Sequence, residues 1–211
     1  MMTSELQQPR GTALAKTISV VFHPLMMPLY GILIIFSSPT LFGFIPFTVK
    51  KLLFLIVFID NFCLPVSLMT YLYYRKLIKS YVIDNREERV LPLVLTTFFY
   101  YVTVYIFIKY RIPVFIKSFM LAAAIISTVV MIINLWFMIS IHAAGAGALL
   151  ALVLVLSFRM QTPLTWFLIP VILIVGAVIS SRLLLNSHTP REAWSGFLLG
   201  FCVTALLLSI F

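Results

Sequence analysis

Residues 118–139 read SFMLAAAIISTVVMIINLWFMI, 22 positions without a charged side chain. A helix needs roughly 20 apolar residues to cross about 30 Å of hydrocarbon, so this stretch is read as a transmembrane helix. Apolar runs of the same kind recur on both sides of it, at about 18–37, 52–74, 91–108, 143–158, 164–185 and 195–211. The first is interrupted by His23-Pro24 and Pro28, and the runs at 143–158 and 195–211 are short. The expectation is therefore six to seven spans, with six spans plus one interfacial helix as the alternative. Hydrocarbon offers no water to unpaired backbone groups, so the fold class expected is all-α, a polytopic transmembrane helical bundle.

Composition agrees with that reading. Of 211 residues, 63% are hydrophobic and 10% are charged, and the mean hydropathy is +1.14, outside the range of water-soluble globular chains. A single transmembrane domain is expected over residues 17–211, behind a polar N-terminal tail at 1–16. Ala13 to Ala15 precede the apolar run instead of following it, so no cleavable signal peptide is expected. The net charge of +9 is concentrated in short connections, which suits anionic lipid or a phosphate-bearing ligand and not nucleic acid. Cys63 and Cys202 lie in apolar runs away from any metal-ligand spacing, and are expected to be small buried hydrophobes.

Few ionisable residues lie within or beside the spans: His23, Asp60, His142, Arg182, His188 and Glu192. Burying charge in lipid is expensive, so each is a functional candidate. In SRLLLNSHTPRE, residues 181–192, a helix beginning near Thr189 would put His188 and Glu192 one turn apart. The carboxylate could then accept a proton from one imidazole nitrogen and leave the other nitrogen's lone pair for attack. At the junction of two spans, Ser140 and His142 precede a small-residue run, Ala143 to Ala148, which permits close helix packing. The helix start there would offer N–H groups and a positive dipole end to an anion; alternatively Ser140 only caps that helix. The charged segment at 75–89, with Lys79, Arg86 and Arg89, is either a solvated loop or part of a site. Two spans separate it from Ser140, and two more separate His142 from Arg182, so these islands are expected at one side of the membrane. His23 is read as an interfacial residue before a helix start at Pro24, and Asp60 with Asn61 as partners of a neighbouring polar group.

These residues resemble the signatures of the type 2 phosphatidic acid phosphatase superfamily, the chain reading as a divergent member over roughly residues 75–200. Ser181-Arg182, five residues, His188, three residues and Glu192 is similar to the third signature, with Glu192 in place of aspartate. Ser140-Ile141-His142 is similar to the second, with Ile139 and Ile141 in place of proline and glycine. Lys79, six residues and Arg86 match the spacing of the first, with Glu87 in place of proline and Arg89 as a rival for the Arg86 position.

The resemblance implies a membrane phosphatase that hydrolyses a lipid phosphate or polyprenyl diphosphate through a phosphohistidine. His188 would be the nucleophile, Glu192 its orienting partner and His142 the proton donor and base. Lys79, Arg86, Ser140 and Arg182 would bind phosphate. It implies no metal or other cofactor, membrane lipids as partners, and a site facing the periplasm from a bacterial cytoplasmic membrane. The alternative is a non-catalytic member that binds or moves a phospholipid or lipid-linked anion. A serine protease lacks its Gly-x-Ser-Gly here, and Asp60 and Asp84 are too few for paired magnesium-binding motifs.

Overall fold

The computed structural model describes residues 11–76 and 86–210, with side chains from Val90 onward in the second part. Lys79 therefore lies outside the described residues, and Arg86 and Arg89 are described only as backbone at the start of a helix. Among the described residues the chain is helical, with no strand. The helices are α1 (Gly11–Val21), α2 (Met27–Ser37), α3 (Phe47–Phe58), α4 (Leu64–Tyr74), α5 (Arg86–Lys109), α6 (Val114–Ile133), α7 (Ile141–Arg159), α8 (Thr165–Leu184) and α9 (Pro190–Ile210).

A π-helical turn, Ile59–Cys63, joins α3 to α4 as one span, Phe47–Tyr74. Among the described residues six helices are long and apolar enough to cross a membrane, and the protein is an integral membrane protein. The first apolar run is bent, with α1 turned by 40° from Pro24–Ser37, the form of a broken span or a re-entrant loop. Its break lies where the sequence places it: His23 accepts a hydrogen bond from the Leu25 N–H, and Pro24 opens a short 3-10 turn. Helix α1 begins inside the segment expected to be a polar tail.

Helices α5 and α9 start several residues before their apolar runs, because charged residues at 86–89 and Pro190 to Glu192 form first turns. Helix α7 starts at Ile141 for a related reason: Ser140 caps it, its Oγ accepting the Ala143 N–H at 3.4 Å.

The most intimate packing joins α7 to α9. These helices run in the same direction, since α8 returns the chain between them. A Cβ on Gly147 would strike the backbone carbonyl of Phe197, and one on Gly200 would strike that of Ala144, so the two backbones meet without side chains between them. Both ends of the pair are pinned. The Ser140 N–H donates to Glu192 O at 3.1 Å, and Arg159 Nη1 donates to Ser209 O at 2.9 Å. Two helix N-termini thus lie side by side at one end of the bundle. Cys63 is only half-buried and Cys202 is exposed, correcting the expectation that both are buried: Cys202 lies on the outward face of α9, which in a membrane meets lipid.

Candidate functional site

A cavity of about 910 Å³ opens at the end of the bundle where α7 and α9 begin. Its polar end is lined by Lys16, Ser19 and His23 of the first span, His142 of α7, Arg182 of α8, and Ser187 and His188 of the following turn. The rest of the wall is mostly apolar, including Pro65, Val66, Leu93, Phe119 and Leu149, with Thr96, Tyr100 and Ser127 set among them. An amphiphile with an anionic head and a hydrocarbon chain matches this division of polarity.

The turn that carries His188 follows from local chemistry. Helix α8 ends with Asn186 at φ 49°, a left-handed conformation that asparagine tolerates. Thr189 and Pro190 then start α9 as a capping box: the Glu192 N–H donates to Thr189 Oγ1 at 3.4 Å, and the Thr189 N–H donates to Glu192 Oε2 at 3.2 Å. The same oxygen accepts His188 Nδ1–H at 2.9 Å. One carboxylate therefore starts a helix and orients an imidazole. A glutamate suits this double duty, since the box requires a side chain long enough to reach back from the third helical residue. Because Nδ1 donates its proton, the lone pair of His188 sits on Nε2.

His142 Nε2 lies 3.1 Å from Ser19 O. A carbonyl can only accept, so Nε2 carries the proton and Nδ1 is the nitrogen that can exchange one. The ring of His23 stands edge-on to that of His142, with centroids 5.5 Å apart. Arg182 Nη1 donates to Ser19 Oγ at 3.4 Å, and Ser19 and Ser181 share a hydrogen bond of 3.3 Å. Since Ser181 donates to Val178 O at 2.7 Å, the Ser19 hydroxyl must be the donor to Ser181. Ser19 thus steadies His142 through its carbonyl and Arg182 through its hydroxyl.

Of the six ionisable residues singled out from the sequence, His23, His142, Arg182 and His188 line this one cavity, Glu192 stands behind His188, and Asp60 lies outside it. Ser140 does not line it: the residue is fully buried and its hydroxyl caps α7. Capping is the alternative that the sequence offered to the phosphate-binding place implied for Ser140. Lys16, Ser19 and the cavity-lining position of His23 were not anticipated. Their signal is present in the sequence, because positions 16, 19 and 23 are polar and fall at helical spacing.

Compared with known protein families, with curated proteins and with solved structures, the chain matches none.

Proposed function

We propose that the cavity is the active site of a membrane phosphatase, acting on a lipid phosphate or polyprenyl diphosphate. The observation that carries this reading is the hydrogen bond from His188 to Glu192 beside His142 and Arg182 at the polar end of one amphiphile-shaped cavity. A phosphoryl group stripped of water needs positive charge and N–H donors already in place. Arg182 and Lys16 supply cations from the cavity wall, and Lys79 with Arg86 or Arg89 would add to them.

In the first step His188 Nε2 attacks phosphorus, a phosphorus–nitrogen bond forms and the phosphorus–oxygen bond to the leaving group breaks, an ester bond in a lipid phosphate and the anhydride bond, with prenyl phosphate departing, in a diphosphate. Glu192 holds the Nδ1 proton and offsets the positive charge that develops on the ring. Once the anionic phosphoryl group is bound and offsets the charge of Arg182, His142 takes up a second proton, keeps its Nε2 proton on Ser19 O, and gives its Nδ1 proton to the departing alkoxide. In the second step the same nitrogen takes a proton from water, whose oxygen attacks phosphorus and releases phosphate from His188. The resemblance to the phosphatase signatures adds support, and with it we place the site toward the periplasm of a bacterial cytoplasmic membrane.

Purified protein in detergent is expected to release phosphate from long-chain lipid phosphates in EDTA, with inhibition by vanadate. Undiminished turnover by His188→Ala would refute the mechanism. One observation favours a second reading. Ser140 caps a helix where the resemblance implies a phosphate ligand, which suits a protein that binds a lipid-linked anion without cleaving it. Saturable binding of a lipid phosphate with no phosphate release would establish that alternative.

A further inference from the structure

Asp60 and Asn61 sit in the middle of the span Phe47–Tyr74, within the π-helical turn Ile59–Cys63. Asp60 is 9% exposed and Asn61 is fully buried. Neither lines the cavity, and nothing in the proposed phosphatase chemistry uses them. Their partner is Thr103 of α5, whose Oγ1 lies 3.2 Å from Asp60 Oδ2, 3.3 Å from Asn61 Oδ1 and 3.2 Å from Phe99 O. A hydroxyl has one proton to donate. Three acceptor oxygens therefore surround a donor that can satisfy one of them. Asn61 Nδ2 is also buried and has no hydrogen-bond partner among the described residues. Turned over, the amide would donate to Thr103 Oγ1 and leave its own oxygen unpaired, and Asp60 would still have the single Thr103 donor.

Positive charge near this cluster is sparse. No described Lys, Arg or His forms an ion pair with Asp60. The turn packs against α3, α4, α5 and Pro24–Met26. Lys50 and Lys51 lie some 13 to 15 Å away along α3, at about 1.5 Å per residue. In α4 the titratable residues are Tyr71, Tyr73 and Tyr74, near its far end. Helix α5 carries its charges at its ends and sets Tyr100 one turn from Thr103. The Pro24–Met26 turn carries none, and His23 beside it faces the cavity. A carboxylate in lipid with a single weak donor is unstable as a bare anion. A positive charge held on it relieves both the anion and the excess of acceptors. Departures from α-helical bonding of this kind recur at functional sites in helices.

We propose that Asp60, Asn61 and Thr103 form a second site, separate from the cavity, that binds one monovalent cation, a proton or a sodium ion, at mid-depth in the membrane. As a proton site, Asp60 Oδ2–H donates to Thr103 Oγ1, and the Thr103 hydroxyl passes its own proton to Asn61 Oδ1 or Phe99 O. As a sodium site, the Asp60, Asn61 and Thr103 oxygens are direct ligands.

The chain has two aspartates, Asp60 and Asp84, so isotope-labelled aspartate in an Asp84→Asn background makes Asp60 the one labelled carboxyl seen by infrared spectroscopy. The measurement is made on full-length protein in lipid nanodiscs near neutral pH, in choline chloride and in sodium chloride. A protonated-carboxyl band in both salts establishes the proton site. A band in choline that converts to a carboxylate band on adding sodium establishes the sodium site. Carbodiimide labelling of Asp60, read by peptide mass, should follow the protonated band in either case. A carboxylate band in choline that does not respond to sodium would overturn the proposal. The readout is independent of phosphate release, so failure of the phosphatase reading and failure of this one are told apart.

Discussion

Two polar clusters interrupt this hydrophobic bundle, and they gather side chains of opposite character. At the cavity, the start of α7 and the turn leading into α9 bring His142 and His188 together with Arg182 and Lys16. At mid-depth, the π turn gathers Asp60, Asn61 and Thr103, where acceptor oxygens outnumber hydrogens. The first arrangement suits an anion, the second a cation. The contrast teaches that in lipid the sign of charge a pocket can accept is decided by whether its side chains present cations and N–H donors or acceptor oxygens.

The sharpest way to break the comparison is His188→Ala, which should lower phosphate release from a lipid phosphate by about a thousandfold or more, measured as turnover in detergent. If release persists, the cavity is a binding site and the anion side of the contrast stands without chemistry. Next in size, Arg182→Ala should weaken vanadate inhibition by about a hundredfold, read from inhibition curves. An unchanged curve would mean that the cavity's positive charge lies elsewhere. The geometry behind both is tested by Gly200→Leu, which forces a side chain into the Ala144 backbone. It should destabilise the protein by about 2 kcal/mol, seen as a lower melting temperature in detergent. The smallest effect separates cap from ligand at Ser140. Ser140→Ala should cost about 1 kcal/mol of stability, and Ser140→Gly only a few tenths, with vanadate inhibition unmoved in both. A loss of inhibition without a loss of stability would return Ser140 to the phosphate site.

The membrane class, the approximate places of the spans and the break at His23-Pro24 were legible in the sequence, because lipid enforces long apolar runs, but the run at 118–139 is a helix over Val114–Ile133. The pairing of His188 with Glu192 was legible too, being a one-turn spacing at a helix start. What escaped was set by turns and by packing. The residues that open α5 and α9 are polar, so a reading of apolar runs starts those helices too late. Ser19 acts partly through its backbone carbonyl on a ring 123 positions away, and no side-chain pattern announces that. The duty of Ser140 was undecided between cap and ligand because a serine before a helix suits both. Lys79 and the side chains of Arg86 and Arg89 fall outside the described residues, so their place stays an expectation.

The shared direction of α7 and α9 has a consequence for biosynthesis. Parallel neighbours cannot form from consecutive crossings, so a ribosome must thread α8 back through the bilayer before they can touch. The bond from Ser140 to the Glu192 carbonyl, and the carboxylate behind His188, therefore arrive with the last of three insertions. A nascent chain paused within α8 carries His142 in place but cannot yet contain either His188 or its acid. Any reactivity toward phosphate is thereby withheld until the bundle has closed around it.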